Sequence, residues 1–345
     1  YMLWDTAYTL CDVPIFGIVT TMTLDQKERV SLNSIGRIFA IFAGIVTGIL
    51  LPLVRQSLGG WATTVIVLSI LSAAMMIPMC LFAKERVIER EKARDGGAEE
   101  NYTLRDMVEC LRSNKYLLIF FAAPLISSLL NVGATWGLYI ARYCLGGEEI
   151  ASFVSMAVIV PTLIGAAIAV QLCKKYDKFK IFYFSYMFAL ILGIVRYIAG
   201  YENMMVYVIL NALGGFPLGI AAILQYQFTP DCYEYGQYKT GLKMRGVTFA
   251  AQTFFTKLNG AIATAVSVFA LTLIGFKEGE GVIQAAGFAD KLWTFSCLGS
   301  IIGGICTLLI LHLYKLNDHD VQLMSKCNNG EITREEAEAQ MINRY

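Results

Sequence analysis

Charge is scarce in this sequence. Of its 345 residues, 16% are Asp, Glu, Lys or Arg, where soluble domains carry about a quarter. Histidine is scarcer still: only His312 and His319 occur, and neither has a partner at metal-ligand spacing, so no transition-metal site is expected. Nine cysteines occur without a single C-x-x-C pair, an odd number that reads as small apolar filler and not as a disulfide framework. There is no H-E-x-x-H, no G-x-S-x-G and no G-x-x-x-x-G-K-[ST] loop. Those absences argue against an enzyme, a nucleotide-driven machine and any cofactor. A net charge of +1 with no basic stripe interleaved with aromatics argues against nucleic acid as a partner.

Apolar residues make up 56% of the chain, and they are gathered into runs. Residues 56–83, 116–141, 150–173, 203–230 and 292–314 each pass more than 20 positions without a charge. A helix needs about 20 apolar residues to cross a hydrocarbon core about 30 Å thick. Segments 38–54 and 181–195 are shorter and flanked by basic residues, while 6–24 and 246–276 hold one charge each. Nine helical spans are expected, in an all-α integral membrane protein whose partner is the bilayer. Strands are excluded, because lipid forces backbone groups to pair within each segment.

Basic residues set the orientation. Alternate loops collect Lys27 and Arg29, eight Lys or Arg in 84–115, Lys174 to Lys180, then Lys239, Lys243 and Arg245, and the tail after Lys315. The opposite loops, such as "LGGEE" and "GYEN", are poor in them. The C-terminus is therefore expected in the cytoplasm, and Tyr1 outside. A chain that starts outside with no polar leader fits an odd number of preceding helices, and three would make twelve. The expected parts are residues 1–83 (three spans, the second half of an N-terminal bundle), 84–115 (a cytoplasmic middle loop), 116–315 (a six-helix bundle) and 316–345 (a cytoplasmic tail). Within the middle loop, Thr103 and Asp106 resemble a capping box ahead of a short amphipathic helix. Thr333 and Glu336 repeat that signal in the tail, which is expected to be helical and solvated.

Two segments echo each other. "TLDQKER" (23–29) and "TPDCYEY" (229–235) are both T-x-D-x-x-E, placing Asp25, Glu28 and Arg29, then Asp231 and Glu234, at the cytoplasmic ends of spans. Parallel repeats of six helices build major-facilitator transporters.

Two charges fall inside spans. Asp12 precedes Asp25 by 13 residues and Lys257 follows Arg245 by 12, about 18–20 Å of helix in each case. A central Asp or Lys costs about 2.5–3.5 kcal/mol to insert, so each is expected to face a cavity or a partner. An acid and a base at matched depth, one per bundle, predict a polar chamber between bundles; a clamping ion pair is the alternative. Tyr8 and Thr9 share the helical face of Asp12, and Phe16 lies one turn beyond it. Arg37, Arg142 and Arg196 lie towards span ends, where snorkelling accounts for them. Trp61, Trp136 and Trp293 fit an interfacial belt.

The block "YMLWDTAYTLCDVPIFGIVTTMTLDQKERVSLNSIGRIFA" (1–40) resembles the fourth helix and following loop of the melibiose-permease-like glycoside–pentoside–hexuronide:cation symporters. "LQYQFTPDCYEYGQYKTGLKMRGVTFAAQTFFTKLNGAIATA" (224–265) is similar to that family's tenth and eleventh helices, and "YKLND" (314–318) to its exit from the last helix. The resemblance implies a major-facilitator fold with nine of twelve helices present, helices 4–12. It implies alternating-access symport of a sugar or glycoside with Na⁺, H⁺ or Li⁺ by a monomer in the bacterial inner membrane. By the same resemblance, Asp12 and Thr9 bind the cation. Asp12, Tyr8, Phe16, Arg37 and Thr253 meet the sugar, and Lys257 and Arg37 couple or gate. Phe16 and Ala222 stand where melibiose permease has Trp, which puts melibiose itself in doubt. An amphiphile or lysolipid symporter of the same fold, and a non-transporting membrane sugar sensor, are the rival readings.

Overall fold

A computed structural model of the chain describes residue 7, residues 32, 35, 36, 39, 40 and 42–44, and residues 61–82, 104–147, 149–242, 245–277 and 283–345. The chain divides into two compact units, residues 1–101 and 102–345. The main described element of the first is α1 (Trp61–Phe82), an apolar helix of 22 residues. The expected spans 6–24 and 38–54 lie largely outside the described residues.

The second unit is helical throughout its described residues: α2 (Leu104–Ser113), α3 (Lys115–Leu130), a 3-10 turn (Val132–Thr135), α4 (Gly137–Tyr143), α5 (Glu149–Leu172), α6 (Lys178–Ala199), α7 (Met204–Leu224), a second 3-10 turn (Gln225–Gln227), α8 (Phe228–Thr240), α9 (Arg245–Leu273), α10 (Phe288–Leu311), α11 (Asp318–Asn328) and α12 (Arg334–Gln340). Six described helical stretches, counting α1 and taking α7 with α8 as one, are long and apolar enough to cross a membrane. They agree with the sequence-based spans, with three differences. The expected span 181–195 is α6, which runs to Ala199 and starts earlier because Asp177 caps it by accepting from the N–H groups of Phe179 (3.0 Å) and Lys180 (3.3 Å). The expected span 203–230 runs on through the second 3-10 turn into α8. It stops at Thr240, where Gly241 adopts φ +76° and its N–H bonds the Gln237 carbonyl at 2.7 Å.

The third difference is a break. Residues 116–141 were expected as one helix, but α3 ends at Leu130 and resumes as α4 at Gly137. Irregular backbone at membrane depth persists only where protein supplies its partners, and neighbouring helices supply them here. Asn131 donates its N–H to the Ser127 carbonyl (2.7 Å) and its side chain accepts from the Ser300 hydroxyl (2.8 Å). Thr135 pairs its hydroxyl with that of Ser267. Trp136, wholly buried, donates Nε1–H to the Ser267 carbonyl at 3.2 Å.

Small residues let helices approach where lipid offers no hydrophobic drive. A Cβ at Gly219 of α7 would stand 2.0 Å from the Thr162 carbonyl oxygen of α5, and one at Gly165 of α5 would stand 2.1 Å from the Phe216 carbonyl oxygen of α7. At Gly299 of α10 a Cβ would meet the Leu130 carbonyl oxygen at 2.6 Å, so the end of α3 also packs backbone to backbone. Aromatic rings fill the rest in two clusters. One gathers Tyr116, Phe120, Phe182, Phe228, Tyr235 and Tyr314; the other gathers Trp136, Tyr207, Phe288 and Trp293. Trp136 and Trp293 are thus buried among helices and not arrayed as an interfacial belt.

Candidate functional site

α9 is the one described element carrying a charged residue midway along a span-length apolar helix. It is 29 residues long, about 44 Å at 1.5 Å per residue. Lys257 lies 12 residues from its start and 16 from its end, the depth expected from sequence. Thr253 lies four residues earlier, one turn away on the same face; its hydroxyl donates to the Phe249 carbonyl at 3.3 Å, and both side chains are half-buried.

α9 is held fast against its neighbours. Phe255 stacks on Phe121 with ring centroids 4.7 Å apart. Asn259 accepts from the Ser128 hydroxyl at 2.7 Å, and Ser267 meets Thr135 and Trp136. The 100° step per residue sets Phe255 and Asn259 on the far side of α9 from Lys257, while Ser267, further along the helix, lies nearer the side of Thr253. Along their own side, Thr256, Gly260 and Thr264 are exposed. The Thr253 hydroxyl, whose proton goes to Phe249, can accept from a hydroxylated ligand, and the Lys257 side chain one turn on can donate to one.

Tyr8, Thr9, Asp12, Phe16, Asp25, Glu28, Arg29 and Arg37 lie outside the described residues. The second copy of the T-x-D-x-x-E segment is described, and each of its acids is engaged. Asp231, 7% exposed, accepts from Lys178 Nζ with contacts of 2.7 and 2.8 Å, and Lys178 also meets Asp318 at 3.1 Å. Glu234 accepts from Asn328 Nδ2 at 2.9 Å. Neither link was legible from spacing, because Lys178 is 53 residues from Asp231 and Asn328 is 94 from Glu234.

Sequence reasoning missed two further features. Arg196 does not snorkel: its Nη1 donates to Asn211 Oδ1 at 3.4 Å and its Nε is buried without a partner among the described residues. The tail is not simply solvated either. The Thr333–Glu336 capping box forms as expected, but α12 buries Ala337 completely, and residues 341–345 fold back onto the helices. Among the described residues no group of three His, Cys, Asp or Glu could hold a metal ion.

Known proteins resemble this chain along most of its length. The model of a family described as MFS/sugar transport protein matches residues 1–318. The symporter YnaJ of Bacillus subtilis (strain 168), itself named uncharacterized, is 25% identical over 301 residues, covering 83% of this chain and 62% of its own. A lactose permease of Lactobacillus helveticus is 25% identical over 363 residues, 97% of this chain and 54% of its own. An isoprimeverose transporter of Lactiplantibacillus pentosus is 21% identical over 339 residues, 94% of this chain and 68% of its own. The chain therefore spans between 54% and 68% of the length of these three relatives.

Proposed function

Because the chain belongs to the MFS/sugar transport family, we propose that it forms the larger part of a secondary transporter carrying a sugar or glycoside together with a monovalent cation by alternating access. The observation that carries this reading is Lys257 midway along α9 with Thr253 one turn away, in a chain whose relatives include a lactose permease, an isoprimeverose transporter and a named symporter. An ionisable group at that depth is expensive to place. A site for hydroxylated solutes gives it a purpose that packing does not.

In the proposed cycle, Asp12 serves both ligands. A carboxylate attracts a cation by charge and accepts hydrogen bonds from neighbouring sugar hydroxyls. Thr9 adds a cation ligand; Tyr8, Phe16, Arg37 and Thr253 meet the sugar. Lys257 is the charge whose interactions must change when the cation arrives, and that links loading to rocking. Sharing one carboxylate makes each ligand raise the other's affinity by the same factor. Na⁺, H⁺ and Li⁺ all fit this chemistry. The membrane is expected to be the bacterial inner membrane, with the tail in the cytoplasm and a monomer as the working unit.

The test is uptake into vesicles reconstituted with the full-length protein, using a panel of glycosides and imposed Na⁺, Li⁺ or proton gradients. Gradient-driven accumulation is expected for at least one pair. Asp12→Asn is expected to abolish it and weaken binding of both ligands. Wild-type accumulation by that variant would refute the shared-carboxylate role, and sugar binding without counterflow in the unaltered protein would replace transport with sensing.

A further inference from the structure

Asp320 is completely buried and has no part in the proposed transport chemistry. A buried carboxylate persists only when its oxygens are well supplied with donors, and these come from a short return of the chain. The N–H groups of Ile342 (2.8 Å) and Asn343 (3.1 Å) donate to it, as do the Tyr345 hydroxyl (2.7 Å) and Asn317 Nδ2 (2.7 Å). His319 Nδ1 stands 3.3 Å from Oδ1. The same return grips the end of α10's exit: Asn343 Nδ2 and the Tyr345 hydroxyl reach the Lys315 carbonyl at 3.0 and 3.2 Å.

What this return rests on is α8 and the start of α3. The Tyr345 ring lies 5.9 Å from that of Tyr116 and 6.0 Å from that of Tyr235. Nearby, α11 and α12 hold α8 at successive turns of one face. Asp318 shares Lys178 with Asp231, Asn328 holds Glu234, and Glu338 accepts from the Tyr238 hydroxyl at 3.1 Å while Arg334 lies 4.8 Å above its ring. Positions 231, 234, 235 and 238 follow helical spacing, so a single stripe of α8 is engaged from end to end. Asn114 completes the link, donating Nδ2–H to the Cys232 carbonyl at 2.6 Å.

We propose that residues 315–345 are a strap that sets the position of α8 and the first turn of α3 while the transporter changes conformation. Asp320 is its buckle, a positioning residue that touches neither solute. Seated, the strap makes the ends of α3, α8 and α10 move as one body; released, it frees α8 to shift on its own. The strap and stripe are read from packing alone, whereas their part in a conformational change rests on the transporter reading, which the exchange measurement below does not need.

The experiment leaves Asp320 untouched and removes donors from the strap, in the full-length protein. Ile342 is 71% exposed, and Met341 before it sits at φ −68°, ψ 142°, the extended backbone that a residue preceding proline adopts. Ile342→Pro therefore suits the backbone before it while replacing the donor with a ring carbon that cannot stay against the Asp320 carboxylate, and Tyr345→Phe deletes another donor. Hydrogen exchange, which needs no substrate, is read at residues 341–345, 228–240 and 115–119 in the double variant. Release of 341–345 with exchange at 228–240 and 115–119 raised about tenfold or more, and the centres of α9 and α10 unchanged, is the expected result. Counterflow of a transported sugar should change in rate while equilibrium sugar affinity stays within about twofold. A released strap with exchange at 228–240 as in the unaltered protein would overturn the proposal, and so would a strap that stays protected after losing both donors.

Discussion

Gly219 and Gly214 lie five residues apart on α7, and replacing each with alanine should move stability in opposite directions. At Gly219 the new Cβ would stand 2.0 Å from the Thr162 carbonyl oxygen and 2.9 Å from the Ala166 nitrogen. Carbon and oxygen settle at about 3.3 Å or more, so α5 and α7 must part by about 1 Å there. Both obstacles are backbone atoms, so no side-chain end can swing aside. The interlock also works from the other side, through Gly165 against the Phe216 carbonyl, so parting at one level strains the next. Overpacking of this kind costs about 1–3 kcal/mol, against a gain of at most about 1 kcal/mol in helix propensity. At Gly214 nothing lies within 4 Å of the built Cβ, and only the gain remains. Thermal unfolding of the purified full-length protein in detergent is the assay. Both obstacles being backbone puts the net cost at Gly219 at about 1–2 kcal/mol, so with about 2–4 °C per kcal/mol Gly219→Ala should melt lower by roughly 2–8 °C and Gly214→Ala should match or slightly exceed the parent. Equal midpoints, or the reverse order, would refute the close packing of α5 on α7.

Two further outcomes are expected. Lys178→Met leaves Asp231 largely buried without its cation; breaking one partner of a buried pair costs about 3–5 kcal/mol, and the exposure of Asp318 puts this case at the low end. Adding Asp231→Leu should recover most of the loss, and an unchanged melting point in the single variant would discount the triad. For the strap, burial alone would raise the Asp320 pKa, but donors from Ile342, Tyr345, Asn343 and Asn317 outweigh it and hold the group below its ordinary value of 3.8. A depressed folded pKa means that the carboxylate's contribution is fully present above the unfolded value and fades as pH falls through the folded one. Exchange protection at 341–345 should therefore be flat from neutral pH down to the ordinary carboxylate range and be lost only below it; loss near pH 6 would contradict this.

The helices were legible in sequence because each uncharged run is a length the bilayer dictates, and the run around Lys257 was recognisable with one charge inside. Depth followed by the same arithmetic, which is why Lys257 falls midway along α9. The break in α3 was not legible. "NVGAT" (131–135) holds no proline and reads as ordinary apolar helix, and what opens it there is Ser300, Ser267 and the absence of a side chain at Gly299, all more than 130 residues away. The inward turn of Arg196 depends in the same way on Asn211 of the next helix. The acids of "TPDCYEY" were singled out by pattern, but the partners that hold them, Lys178 and Asn328, are set by tertiary packing that no local spacing encodes. The tail's capping box was readable; its docking was not, since Asp320 receives two of its donors from backbone N–H groups, which every sequence has.

The break in α3 and the charge on α9 belong to one arrangement. Asn259 and Ser267 tie α9 to Ser128 below the break and to Thr135 and Trp136 above it, so α9 splints the two halves of the interrupted helix. Any shift of α4 relative to α3 would have to break the Ser267 contacts or carry α9 along. A site must be held to within about 0.5 Å by elements that are themselves fixed, and α9 meets that need with an aromatic stack and a side-chain hydrogen bond on the side opposite Lys257, and with the two contacts of Ser267 further along. The face carrying Thr253 and Lys257 thereby gains a rigid backing while its own side chains stay only half-covered.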